Sequence, residues 1–298
     1  MSSAAAATPA SESDIGAAIT TRVFDRATGE PVKGVCVLAM PVLTFSLPDD
    51  CPARSGGGGR VTVQVPGPGQ YNLFALPKLD SPYGAQWVGP DGGTGRQQDA
   101  RRVTLAAGES KRVGQVLLDP RATISGRTDP GDLPGLVSIA APNPDVADDA
   151  RVLPIDPDGS FDIDWVGPYE WPLLFRLDGE ELQWSGRVGN RLLAETVPAL
   201  PGGSADRYRF YESHNEARLF VQMADTAPPC LDLRVFYRNA ATGDVMGGTG
   251  YSRLMAGGQQ IKVEYQCDGE TRWYGGTDFD TATAVVVKYF DWIRLYLT

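Results

Sequence analysis

Histidine is almost missing from these 298 residues, His214 being the single one. Hydrolysis by a serine or cysteine nucleophile needs a base within hydrogen-bond reach, most often histidine. His214 lies in the polar stretch Tyr208 to Glu216, where it reads as an exposed residue, and no G-x-S-x-G elbow or H-E-x-x-H helix accompanies it. Basic charge is also short, with 27 Lys and Arg against 37 Asp and Glu and a formal net charge of -10. Nucleic-acid binding rests on a basic face that neutralises phosphates, and docking on an anionic membrane rests on a basic patch, so neither partner is expected. Long apolar runs are missing too. A membrane span needs roughly eighteen apolar residues, and the nearest stretch, Ala282 to Leu297, is broken by Lys288, Asp291 and Arg294 and alternates like a terminal strand. Membrane insertion is therefore not expected. The opening MSSAAAATPASESD lacks the basic and apolar sections of an export leader. It reads as the processed start of a secreted protein whose leader is absent here, with residues 1 to 14 disordered.

Glycine and proline are plentiful, 35 and 23 of them, and separate short strand-like runs. That pattern describes an all-β protein with many tight turns, long enough for two or three domains. In Ala18 to Pro41, Ile19, Thr21 and Val23 alternate with Thr20, Arg22 and Phe24. Thr28-Gly29 then turns the chain, and Val32 to Ala39 returns as a more buried strand. A weaker second copy starts at Ala122. ATISGRTD answers AITTRVFD, Gly135 to Pro142 answers Gly34 to Pro41, Gly167 to Tyr169 answers Gly69 to Tyr71, and Gln183-Trp-Ser-Gly186 answers Gln86-Trp-Val-Gly89. After the stretch Pro198 to Ala205, expected as a linker, Leu231 to Val235 and Ile261 to Tyr265 alternate as strands, and Ala241-Thr-Gly-Asp-Val245 repeats the turn theme. This third region reads as a further copy or as an unrelated sandwich.

A strand ending in V-x-D, followed by A-T-G-x-P-V-x-G-V-x-V at residues 27 to 37, resembles the opening of carboxypeptidase regulatory-like domains. These are transthyretin-like (prealbumin-like) or Cna-B-like sandwiches common on secreted bacterial proteins. YGAQWVGPDGGTGR at 83 to 96, then V-T-L-x-A-G-E and a final V-x-L, is similar to the second half of such domains in actinobacterial secreted proteins. The resemblance covers roughly residues 18 to 119 and implies fold far more than function. Some Cna-B relatives link a lysine on the first strand to an asparagine on the last, but Arg22 and Arg127 stand in the first strands here.

Four cysteines allow three pairings. The expected domain boundaries favour Cys36–Cys51 and Cys230–Cys267, which close short loops, with buried free thiols as the alternative. Zinc has no C-x2-C or nearby histidine to hold it, and paired cysteines point to an oxidising exterior. Asp156, Asp158 and Asp162 flank Gly159 as part of a calcium loop would, but the further ligands of an EF-hand are missing, and a hairpin turn is the plainer reading. No cofactor is expected. Trp87, Trp184 and Trp273 share one repeat position and read as core residues, whereas Tyr83, Trp171 and Tyr274 are the loop aromatics that would stack on a sugar.

The sequence thus predicts a disordered segment at 1–14, regulatory-like sandwiches at 15–120 and 121–200, and a third sandwich at 206–298. The expected role is a non-enzymatic extracellular scaffold or binding protein, its partner a protein or a cell-surface glycan. Two alternatives stand beside it. A carbohydrate-binding module would line exposed aromatics along one sandwich face. A filament or phage-particle subunit would self-assemble through unpaired edge strands at Ala18 to Asp25 or Val285 to Leu297.

Overall fold

The computed structural model describes residues 16–48, 50–129, 135–141, 152–177, 181–203, 208–211, 216–248 and 252–298. The protein is all-β, and its helical turns among the described residues are two short 3-10 turns at Gln97–Asp99 and Arg191–Leu193. The first sandwich contains β1 (Ala17–Asp25), β2 (Cys36–Pro41), β3 (Arg60–Val65), β4 (Gly69–Leu76), β5 (Gln86–Val88), β6 (Gly93–Thr94), β7 (Arg102–Leu105), β8 (Ser110–Arg112) and β9 (Val116–Leu118). In one sheet β1 lies between antiparallel β3 and the parallel strands β8 and β9. The other is built on β4, which pairs with β2, β5 and β7. Alternation sends Ile19, Val23, Val61, Val63, Leu73 and Val88 into the space between the sheets. Because β1 is paired along both sides, the free edge expected at Ala18 to Asp25 does not exist. The turn after β1 forms for a local reason. The Asp25 carboxylate accepts from Ala27 N (2.7 Å) and Thr28 N (3.2 Å), and Gly29 takes φ 72°.

The second sandwich contains β10 (Ala122–Asp129), β11 (Gly135–Ser138), β12 (Leu153–Pro154), β13 (Ser160–Val166), β14 (Glu170–Pro172), β15 (Leu174–Leu177), β16 (Glu181–Trp184), β17 (Thr196–Pro198) and β18 (Tyr208–Tyr211). Here β10 lies between antiparallel β13 and parallel β18. Tyr208–Tyr211, grouped by the sequence reading with the third region, thus completes the second sheet. The expected linker is also held down, since Thr123 and Leu200 exchange backbone bonds of 3.0 Å. The third sandwich contains β19 (Glu216–Met223), β20 (Leu233–Asn239), β21 (Val245–Gly248), β22 (Ser252–Ala256), β23 (Gln259–Cys267), β24 (Glu270–Trp273), β25 (Val285–Val287) and β26 (Trp292–Leu297). It repeats the plan, with β19 between antiparallel β22 and parallel β26, and β23 between β20 and β24. Phe74 opposite Trp87, Leu174 opposite Trp184 and Glu264 opposite Trp273 occupy one equivalent register.

The sandwiches share cores. Leu38, Phe74 and Trp87 point out of the first sandwich and join one apolar cluster with Ile124, Ile163 and Trp171 of the second. Phe45, Phe74 and Trp87 pack with ring centres 4.6–5.0 Å apart, and Trp171 meets Phe74 edge-on at 6.4 Å. The glycines of YGAQWVGPDGGTGR allow this approach. A Cβ on Gly84 would stand 2.3 Å from Val166 O, and one on Gly95 would stand 2.2 Å from Glu170 O. Beside them, the Tyr169 hydroxyl donates to the Asp119 carboxylate; burial first, and that bond second, push its pKa far above the usual tyrosine range.

Leu174, Leu182 and Trp184 of the second sandwich likewise meet Met246 of the third. Arg191 closes the junction. Its Nε lies 3.0 Å from Asp244 Oδ2, and the two side chains are only 2% and 1% exposed. Its Nη2 donates to Leu43 O (2.9 Å) and Gln97 Oε1 (3.0 Å) of the first sandwich, and its guanidinium lies 5.5 Å over the Phe45 ring. One middle-sandwich side chain therefore grips both neighbours. Burial raises the Asp244 carboxyl above its ordinary value, and Arg191 opposes that rise. Disulfides Cys36–Cys51 and Cys230–Cys267 form within the outer sandwiches, with Cα atoms 5.7 and 5.5 Å apart.

Candidate functional site: an aromatic and arginine face

The loop aromatics named from the sequence do not come together. Trp171 is fully buried, its Nε1 donating to Gly167 O at 3.0 Å, so it presents no ring face to a ligand. Tyr83 is half-buried and donates to Asp25 Oδ2 at 2.8 Å; this bond chiefly holds the Asp25 carboxyl below its usual range, while burial raises the tyrosine. Tyr274 is half-buried against the third core. The aspartates form the expected hairpin. Asp158 Oδ1 accepts from Ser160 N (3.0 Å) and Ser160 Oγ (2.6 Å), Gly159 takes φ 82°, and Asp162 faces outward from β13. Asp158 is held below the usual carboxylate range by those bonds, Ser160 Oγ first. Among the described residues the group with metal-ligand spacing is Cys230, Cys267 and Asp268, whose two sulfurs bond each other. Asp268 Oδ1 instead accepts from Leu231 N and Asp232 N, at 3.1 Å each. His214 lies outside the described residues.

A different site is built on the third sandwich. Period-two alternation in β26 sends Leu295 and Leu297 inward and leaves Trp292 (72% exposed), Arg294 and Tyr296 outward. Its parallel partner β19 buries Ala217, Leu219 and Val221 and turns Arg218, Phe220 and Gln222 to the same outer face. Register sets Arg218 beside Trp292, Phe220 beside Arg294 and Gln222 beside Tyr296. The result is a checkerboard of cation and ring. The Trp292 and Phe220 rings are 5.6 Å apart, Arg218 lies 5.5 Å over Trp292, and Arg294 lies 5.9 Å over Phe220. Such contacts hold guanidinium planes in place at an exposed surface. Neither arginine has an ion-pair partner among the described residues. At the end of the face, Phe290 is 69% exposed with φ 59°, and Tyr289 covers the β22–β23 turn, where a Cβ on Gly257 would stand 2.7 Å from its ring. On its other side β26 pairs with no strand among the described residues.

The signal in W-I-R-L-Y-L was readable, since the inward Ile and Leu positions fix the outward Trp, Arg and Tyr. The pairing with Arg218 and Phe220 was not, because it joins residues over 70 positions apart. The chain matches no known family model and no curated protein. Among solved structures it is similar to the Bacillus anthracis TIE protein at 10% identity and TM-score 0.24, over 94% of this chain and 50% of that one. A Streptococcal ancillary pilin is 12% identical with TM-score 0.27, over 67% of this chain and 63% of that one. The major pilin subunit of Bacillus cereus is 8% identical with TM-score 0.22, over 94% and 99%. The chain spans about half the length of the first of these. Likenesses at this level say nothing of what the chain does.

Proposed function

We propose that the protein is a non-enzymatic scaffold of the cell exterior, a single stiff body of three regulatory-like sandwiches that holds a recognition face at a fixed place. The observation that carries this reading is Arg191, buried between all three sandwiches and bonded to the outer two. Domains joined by linkers alone move relative to one another, whereas an interface with shared cores and a buried ion pair resists that motion. The two disulfides support an oxidising location. Two measurements test the reading. X-ray scattering of the pure protein should fit one rigid shape, and Arg191→Ala should broaden it into a mixture of arrangements. Fractionation of the native host should find the oxidised protein outside the cell, and a reduced cytosolic pool would sink the proposal.

The open side of β26 favours a second reading, a subunit that assembles edge to edge with copies of itself. Light scattering at micromolar concentration separates the two, since assembly requires a mass above that of one chain.

A further inference from the structure

We propose that the outer face of the β22-β19-β26 sheet binds an anionic polysaccharide, a chain of pyranose rings carrying carboxylates. Soluble proteins rarely leave large aromatic side chains grouped in water, and such groups mark contact sites. Here Phe220, Trp292 and Tyr296 lie on one sheet face, and Trp292 and Tyr296 are 72% and 49% exposed. The face is the outer surface of a sheet, with its outward side chains in rows along β19 and β26, so it suits an extended ligand lying along the strands. A pyranose ring offers an apolar C–H surface that stacks on an indole or phenyl ring. A carboxylate at its edge reaches a neighbouring guanidinium, which can receive it through two parallel N–H bonds.

The pairs Arg218 with Trp292 and Phe220 with Arg294 each supply both kinds of contact, and Gln222 beside Tyr296 adds a ring and a neutral hydrogen-bonding amide. Charge narrows the ligand further. The chain carries a net charge of -10, which repels polyanions in general. The two arginines on this face have no carboxylate paired with them among the described residues. A ligand that gains from charge and stacking together is selected over one that offers charge alone. The site is separate from the scaffold reading, because a rigid body that binds no polysaccharide would keep the one and lose the other.

The test is calorimetric titration of the full chain with an oligomer of polygalacturonic acid, and with the same oligomer after reduction of its carboxylates to alcohols. Binding to the acidic oligomer is expected, with roughly tenfold or greater weakening in Trp292→Ala and several-fold weakening in Arg294→Ala, Arg294→Lys and Arg218→Ala. The reduced oligomer is expected to bind no better than the arginine variants bind the acidic one. Trp292 and Arg294 are exposed, so each variant should keep the wild-type melting temperature and near-ultraviolet spectrum. Three results would overturn the proposal. Wild-type protein could fail to bind the acidic oligomer. Dextran sulfate could bind equally well and be indifferent to Trp292→Ala, which would reduce the site to charge. Light scattering could show a dimer that Trp292→Ala abolishes, which would make the face a contact between copies of this chain.

Discussion

The first two sandwiches and the third differ at one equivalent position. Opposite the repeat tryptophan stand Phe74 in the first, Leu174 in the second and Glu264 in the third. The apolar pairs Phe74–Trp87 and Leu174–Trp184 are each covered by the following sandwich, so both tryptophans are fully buried. In the third, Glu264 forms an ion pair with Arg238, Lys262 lies 4.6 Å over the Phe279 ring, and Trp273 meets that ring edge-on at 5.7 Å while remaining half-buried. The strand plan is the same in all three. Whether a sheet face docks another sandwich or ends in water is therefore decided by a few outward residues, as in repeat arrays whose terminal units carry a polar outer face.

Substitution of the tryptophans tests this most directly. Trp87→Ala and Trp184→Ala should each cost roughly 3–5 kcal/mol, the range for deleting a large buried ring, and Trp273→Ala about 1 kcal/mol or less. Urea unfolding monitored by circular dichroism reads all three, and equal losses would break the comparison. Arg191→Ala leaves Asp244 buried without its partner and should also cost about 3–5 kcal/mol. Unlike the tryptophan changes, it should loosen both junctions, seen as faster proteolysis at each. Reduction removes the chain-entropy contribution of the disulfides, about 3 kcal/mol for Cys36–Cys51 and about 4 kcal/mol for Cys230–Cys267. Its effect should fall within the outer sandwiches and leave the middle one folded.

A milder change converts the third face to the character of the others. Replacing Arg238 and Glu264 together by leucine recreates an apolar neighbour for Trp273, and self-association in light scattering is the expected result.

Titration probes both junctions. Tyr169, at the first, has a raised pKa, so its contribution is complete below the ordinary value of 10.0 and is lost as pH climbs above it. Tyr208 of β18 is pushed up to about 12, chiefly by burial, and follows the same sign between 10 and 12. Asp244, at the second junction, is also raised, chiefly by burial, so its contribution is complete below the ordinary carboxyl value of 3.8 and is lost as pH rises through its folded value. Stability should fall across the alkaline range of the two tyrosines, and Tyr169→Phe should flatten the slope.

Much of the strand plan was legible because it rests on local signals. Alternation at Ile19, Thr21 and Val23 reports a half-buried strand wherever that strand lies in space. Local signals also explain what misled. The Asp25 turn recurs at Asn239, whose Oδ1 accepts from Ala241 N and Thr242 N while Gly243 takes φ 71°. In the first sandwich this turn joins β1 to β2, and in the third it joins β20 to β21. A turn motif therefore records chain reversal and not position in a fold. Trp171 looked like a loop aromatic because its burial comes from Phe74, almost a hundred residues away. Arg191 gave no signal, since nothing near it in sequence announces that Leu43, Gln97 and Asp244 surround it. The outward ladder of β26 could be read alone, but its significance needed β19 beside it.

The parallel pairing of first and last strands in each sandwich has a mechanical consequence. Parallel neighbours run the same way, so the start of the first strand and the end of the last lie at opposite ends of the sheet, and tension along the chain pulls β19 and β26 past each other and does not peel them apart. The pairing from Arg218 with Trp292 to Met223 with Leu297 is then strained in shear, with its hydrogen bonds sharing the force. Peeling would break them in turn. The same geometry recurs in β10 with β18 and in β1 with β8 and β9. A protein built this way transmits a pull from one end of the chain to the other through three clamps in series.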